Sequence, residues 1–149
     1  MRVEMISHSP NQTNEIATEV AQKAMASMAN RASATIIALS GELGAGKTTF
    51  AQGFARALSV SQNLRSPTFT LAKSYSIPNS DYILWHIDCY RLEKPEDAQV
   101  IDLPIIFKDP KALVLIEWPE RIQLDTRHWD IKFSHGNSEN ERKISITET

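Results

Sequence analysis

Residues 38–54 read ALSGELGAGKTTFAQGF and hold three of the five glycines of this 149-residue chain within six positions. The cluster stands directly before Lys47 and Thr48. Glycine loses more conformational freedom on folding than any other residue, so such a cluster needs a local reason. The spacing fits G-x-x-x-x-G-K-S/T, in which loop amides surround phosphate oxygens, the lysine reaches the outer phosphates and the hydroxyl binds Mg²⁺. The stretch therefore predicts a nucleotide phosphate site.

The segments on either side of the loop predict its place in the fold. Residues 34–40 are short, apolar and rich in β-branched side chains, which is typical of a buried strand. After the loop, Phe50, Phe54 and Leu58 recur at helical spacing, so we expect a helix that adds its partial positive N-terminus to the site. A glycine-rich turn without a ligand is the weaker alternative.

The remaining segments predict an α/β protein. Residues 13–30 form an amphipathic helix with Asn11 or Thr13 as its cap. A hairpin, a short helix limited by Pro104, an apolar strand and a second hairpin follow the loop region. We expect a three-layer P-loop NTPase fold with a mixed, mainly parallel central sheet and β-hairpins, in a single domain over residues 1–149.

Acidic residues end two of the predicted strands. A phosphate site needs a carboxylate for the metal or for the attacking water, and the runs LWHID and LVLIE end at Asp88 and Glu117. A simple strand-end charge is the alternative for each residue. His86 shares a strand face with Asp88, and a buried core histidine is favoured there over a proton carrier.

Composition excludes several classes of protein. The net charge of -2 argues against a broad basic surface for nucleic acid. The one cysteine, Cys89, has no partner for an intramolecular disulfide and belongs to no cluster with zinc spacing, which fits a reducing, cytoplasmic setting. We find no apolar run suited to a signal peptide or a membrane span.

Motifs that are missing narrow the class further. The chain has no D-x-x-G or N-K-x-D motif of a GTPase, and it has no glycine between Gly53 and Gly136 for a cassette-type ATPase signature. The segment RLEKPEDAQVIDLP carries one arginine, which is poor for the lid of a small-molecule kinase. An ATPase that acts on a partner is favoured. A small P-loop kinase and a nucleotide-gated binding module remain as alternatives, and direct tRNA binding is weaker still.

Four motifs, GELGAGKTTF (41–50), SPTFTL (66–71), HIDCYRL (86–92) and IEWPER (116–121), together resemble the TsaE family, also known as YjeE. The resemblance covers nearly the whole chain. It implies a bacterial ATPase that uses ATP and Mg²⁺ and acts on the TsaD–TsaB complex. That complex makes threonylcarbamoyladenosine in tRNAs that read codons beginning with A, so tRNA would be reached only indirectly.

The same resemblance implies roles for individual residues. Those given catalytic roles are Lys47, Asp88, Glu117 and Thr68, the last within a switch-like loop that also includes Ser66 and Pro67. Those expected at the nucleotide are Ser9, Gly41, Gly44, Ala45, Gly46, Lys47, Thr48, Thr49 and Trp118. Thr48 and Glu117 would hold Mg²⁺. The sequence does not decide whether Asp88 or Glu117 orients the attacking water.

Overall fold

The fold is taken from a computed structural model, which describes residues 2–42, 44–60 and 71–149. The strands are β1 (Arg2–Ser7), β2 (Thr35–Gly41), β3 (Ala72–Ser76), β4 (Ile83–Asp88), β5 (Ala112–Glu117), β6 (Trp129–His135) and β7 (Arg142–Glu148). The α-helices are α1 (Pro10–Met28), α2 (Lys47–Ala57) and α3 (Leu103–Lys108), with 3-10 turns at Pro95–Val100 and Pro119–Arg121. No helix within the described ranges has the length and apolar character needed to cross a membrane.

The described residues form one sheet of seven strands in the order β1-β7-β6-β2-β5-β4-β3. Its four central strands, β6, β2, β5 and β4, are parallel to one another. The hairpins β3–β4 and β6–β7 are antiparallel, and so is the pair β1–β7. The predicted mixed sheet with a parallel centre and two hairpins is therefore confirmed, and the glycine loop leaves its middle.

Two apolar cores give the predicted three layers. Alternate side chains of a strand point to opposite faces, and β2 follows this rule. Leu39 packs with α1 and α2 on one face, whereas Ile36 packs on the other with Ala98 and Ile106 of the segment around α3. All six residues of β5 are buried, as expected of a parallel strand that is covered on both faces.

The start of α1 differs from the prediction. The helix begins at Pro10, and the Ser9 hydroxyl caps it by accepting a hydrogen bond from the backbone N–H of Gln12 at 3.1 Å. Neither Asn11 nor Thr13 is the cap, because the helix starts before both. The Thr13 hydroxyl instead lies 2.7 Å from the Ser7 hydroxyl.

Two further predictions differ from the structure. The predicted short helix is present as the 3-10 turn Pro95–Val100, but Pro104 does not end it, because Pro104 lies in the first turn of α3, where its missing N–H breaks no hydrogen bond of the helix. Strand β1 was not predicted at all. It is an edge strand in which only Ser7 is buried, and its pairing with β7 is what makes it a strand.

Gly53 lies where α2 packs against α1. A Cβ atom added at Gly53 would stand 2.6 Å from Asn14 Oδ1, 3.2 Å from Asn14 Cα and 3.3 Å from Ala17 Cβ. Because the last two atoms belong to the backbone and to a short, buried side chain, the helices would have to move apart. The missing side chain therefore sets the distance between the two helices.

We expect Gly53→Ala to lower the free energy of unfolding by about 1 kcal/mol, since overpacking costs about 1–3 kcal/mol and better helix propensity offsets about 1 kcal/mol. Urea denaturation measures the change. The matched control is Gln52→Ala, the half-buried neighbour in the same helix, which should shift stability by no more than about 0.5 kcal/mol. A gain in stability for Gly53→Ala would contradict the close approach of the helices.

Candidate functional site

Glycine is required in the loop for two different structural reasons. Their φ angles are 135° at Gly41, 75° at Gly44 and 106° at Gly46, all in a region that side chains disfavour. A Cβ atom on Gly41 would also overlap the carbonyl oxygen of Phe133 on β6, whereas none of the described atoms lies within 4 Å of one on Gly44. Gly41 therefore allows β6 to approach, and Gly44 leaves the loop open to a ligand.

The loop leads into the N-terminus of α2, which is capped by no side chain of the described residues. Gly46 is the cap residue, Lys47 and Thr48 are the first helical residues, and Thr48 is exposed. The first amides of a helix have no acceptor within it, so a phosphate oxygen can serve as their partner. Ala45 and Thr49 flank the same turn, the former fully buried and the latter half-buried.

Lys47 turns its charged end back over its own loop. Its Nζ donates a hydrogen bond to the Gly41 carbonyl at 2.7 Å and lies 3.7 Å from the centroid of the Trp118 ring. Burial lowers the pKa of Lys47, although the carboxylates of Glu117, Glu120 and Asp88 act against that shift. The ammonium is thus poorly solvated, and an anion bound at the loop would offer it a stronger partner than a neutral carbonyl.

The two predicted carboxylates lie side by side at the edge of the sheet that carries the loop. Asp88 ends β4 and Glu117 ends β5, and the parallel register pairs these two residues directly. Glu117 is also opposite Leu39 on β2, two residues before the loop begins. Asp88 is half-buried, and its Oδ1 accepts a hydrogen bond from the backbone N–H of Tyr90 at 3.0 Å.

A buried pair joins Glu117 to His86. The imidazole Nε2 lies 2.6 Å from Glu117 Oε2, and the two side chains are 2% and 6% exposed. His86 is buried, as the core-histidine prediction required, but its contact with Glu117 was not foreseen. The only sequence signal was its position two residues before Asp88 on the same strand face.

The other predicted site residues are placed as follows. The Trp118 ring contacts both Lys47 and Tyr90, and the centroids of the Trp118 and Tyr90 rings are 5.1 Å apart. Ser9 caps α1 after the end of β1, and its role on the adenine side stays a prediction. Thr68, with Ser66 and Pro67, lies outside the described residues.

The residues present fit a magnesium ion bound with nucleotide. Mg²⁺ prefers oxygen ligands and is usually bound through one or two protein groups together with phosphates and water. The exposed Thr48 hydroxyl and the Glu117 carboxylate are donors of that kind. These two residues would hold the ion.

Cys89 follows Asp88 but turns into the second apolar core, and its backbone N–H donates to the Glu117 carbonyl at 3.0 Å. Burial, with the nearby charges of Asp88 and Glu120, raises the pKa of this thiol to about 12.

We expect Cys89 of the native chain to react with a disulfide reagent at pH 8 about 10³-fold more slowly than Cys89 of the chain unfolded in urea. The reason is that the thiolate is the reactive form and an unperturbed cysteine has a pKa near 8.5. Equal rates in native and unfolded chains would contradict this inert thiol.

Comparisons with known proteins point to one family. The family model described as "Threonylcarbamoyl adenosine biosynthesis protein TsaE" matches residues 7–144. Relatives named tRNA threonylcarbamoyladenosine biosynthesis protein TsaE include one from Nostoc sp., 37% identical over 76% of this chain and 70% of the relative. Another, from Aquifex aeolicus, is 34% identical over 96% of this chain and 94% of the relative. The crystal structure of Bacillus subtilis YdiB is similar with a TM-score of 0.67 and 27% identity, covering 99% of this chain and 86% of that one.

Proposed function

The chain belongs to the TsaE family of threonylcarbamoyl adenosine biosynthesis proteins, and on that premise we propose that it is a magnesium-dependent ATPase. It acts on the TsaD–TsaB complex during modification of tRNAs that read codons beginning with A. tRNA is reached through the complex, in keeping with the net charge of -2. Because its work concerns tRNA, we place the protein in the cytoplasm.

One arrangement carries the ATPase proposal. An uncapped helix N-terminus bearing Lys47 follows a glycine loop and lies beside Asp88 and Glu117, the paired ends of two parallel strands. Helix amides and a lysine bind phosphates, and strand-end carboxylates serve the metal and the water. The site thus has groups for each requirement of phosphoryl transfer to water.

The chemistry follows from these groups. On binding ATP, Lys47 exchanges the Gly41 carbonyl and the Trp118 ring for phosphate oxygens, where its charge stabilises the transition state. Thr48 and Glu117 would hold Mg²⁺, which would supply positive charge against the negative charge of the phosphates. Since Glu117 is hydrogen-bonded to His86 and would also hold Mg²⁺, we assign orientation of the attacking water to Asp88.

Turnover by the isolated chain is expected to be slow, with the partner complex completing the site. The proposed reporter of the γ-phosphate is Thr68, whose switch-like loop would transmit the nucleotide state to TsaD–TsaB. A segment of this kind changes its contacts when the γ-phosphate leaves, which gives the partner a signal in each cycle.

The deciding experiment measures phosphate release by the purified chain with ATP, with and without Mg²⁺, TsaD–TsaB and tRNA. We expect magnesium-dependent release that rises with the complex, and a higher melting temperature with ATP and Mg²⁺. Phosphate found on an added metabolite would support a small kinase instead. Threonylcarbamoyl transfer that turns over equally well without this chain would contradict the assignment to TsaD–TsaB.

Asp88→Asn separates an ATPase from a nucleotide-gated binding module. If hydrolysis drives the partner cycle, the variant loses both phosphate release and repeated tRNA modification. A binding module would lose hydrolysis and keep full tRNA modification. Because an asparagine carbonyl still accepts from the Tyr90 N–H, the local turn is preserved in the comparison.

A further inference from the structure

His86 and Glu117 come together only through the sheet. They are 31 residues apart in the chain, and the parallel pairing of β4 with β5 places them on the same face near the phosphate loop. That face belongs to the core under α1 and α2, since Leu84 and Leu115 of the same strand faces pack there. His86 therefore lies on the face of the sheet that α1 and α2 cover.

The hydrogen bond between the two side chains has one reasonable donor. With Glu117 as a carboxylate, which only accepts hydrogen bonds, Nε2 of His86 is the donor in the 2.6 Å contact with Glu117 Oε2. The other ring nitrogen, Nδ1, is buried and has no hydrogen-bond partner among the described residues. The contact with Glu117 is thus the polar interaction that this ring makes within the described part of the chain.

The two carboxylate oxygens of Glu117 differ in their relation to His86. The hydrogen bond from His86 is made to Oε2, so Oε1 is the oxygen that this contact does not engage. A buried carboxylate with one oxygen fixed by a hydrogen bond has a defined orientation, which is what a ligand to a metal requires. An imidazole that only filled space in the core would not need to meet a carboxylate.

We infer that His86 is a positioning residue, whose Nε2–H holds one oxygen of Glu117 so that the other is available to Mg²⁺ bound with nucleotide. The inference rests on the proposed function, because it concerns the carboxylate assigned there to the metal. It goes beyond that function because it assigns to His86, on the neighbouring strand β4, an effect on the Mg²⁺ concentration that nucleotide binding requires. His86 itself contacts neither nucleotide nor metal in this arrangement.

The test compares two substitutions of His86 by residues whose side-chain amides differ in their distance from the backbone. His86→Gln places a side-chain N–H close to the position of Nε2, whereas His86→Asn carries the same amide one carbon shorter, out of reach of Glu117. Both variants lose the ring, so they share its packing loss. The readout is the Mg²⁺ concentration that gives half-maximal binding of a non-hydrolysable ATP analogue, measured by calorimetry, together with analogue binding in the absence of Mg²⁺.

We expect His86→Asn to raise the half-saturating Mg²⁺ concentration about 10-fold, as seen when partners of metal ligands are removed, and His86→Gln to stay within about threefold of the native chain. Binding without Mg²⁺ should be the same in all three proteins. If the Asn variant does not fold, His86→Leu provides the version without a donor. A purely structural role would lower thermal stability but leave the magnesium requirement unchanged.

Two failures are distinguishable. If the native chain binds the analogue equally with and without Mg²⁺, the proposed function itself is overturned, and the role of His86 with it. If native binding requires Mg²⁺ but the Asn and Gln variants share the native requirement, only the positioning role is wrong. An equal increase in both variants would also overturn that role, since reach to Glu117 would then be irrelevant.

Discussion

Lys47→Met is expected to lower the rate of ATP hydrolysis about 10²–10³-fold, the usual loss when a group that stabilises transition-state charge is removed. Methionine keeps most of the apolar stem and removes the ammonium. The ligand-free chain should change in stability by no more than about 1 kcal/mol, because the loss of one hydrogen bond to Gly41 is offset by the loss of a buried charge. Phosphate release at saturating ATP and Mg²⁺, with thermal unfolding, measures both effects.

Lys111→Met is the matched control for this substitution. Lys111 is exposed, and it precedes β5 at the edge of the sheet opposite the loop. Its replacement removes the same charge and should leave hydrolysis within about twofold of the native rate, as expected of a surface site. If Lys47→Met kept more than a tenth of the native rate, the phosphate site would not be where the loop predicts it.

Glu117→Gln is expected to lower hydrolysis about 10²-fold and to raise the Mg²⁺ concentration needed for it, since a neutral amide is a poorer metal ligand than a carboxylate. The size of the side chain is unchanged, and its amide oxygen still accepts the Nε2–H of His86. The variant also removes the first of the three carboxylates that raise the pKa of Lys47 against burial, so that pKa should fall further. Hydrolysis rates across a magnesium titration measure the main effect.

Glu120→Gln provides the control for charge alone. Glu120 is exposed, lies three residues further along the chain and also raises the pKa of Lys47. It is not at a strand end, so its loss should leave the magnesium requirement unchanged. If Glu120→Gln and Glu117→Gln behaved alike, general electrostatics rather than ligation would explain the effect, and Asp88 would become the candidate ligand.

Elements with strong local signals were predicted from the sequence with little error. The runs that end at Asp88 and Glu117 are strands with those last residues, and α2 begins at Lys47 as the motif requires. These features depend on residues close together in the chain, through β-branched runs, helical spacing and glycine. Weakly patterned segments were harder, as β1 shows, because an exposed edge strand owes its structure to a partner far away in sequence.

Gly53 illustrates what a local signal leaves open. Glycine within a helix costs about 1 kcal/mol against alanine, which indicates that something requires it but does not identify the neighbour. The neighbour is α1, through Asn14 and Ala17. Helical periodicity shows that a face is buried, but it does not say which element covers that face.

By itself, the sequence determined that a phosphate loop lies between a buried strand and a helix, and that carboxylates end two other strands. It also carried the motifs of the TsaE family. Only the tertiary structure decided that Asp88 and Glu117 are direct neighbours, that Lys47 rests on Trp118, and that His86 is bonded to Glu117. The physical reason is that strand order and register in a parallel sheet are set by packing between distant segments, whereas loop and helix signals are carried by adjacent residues.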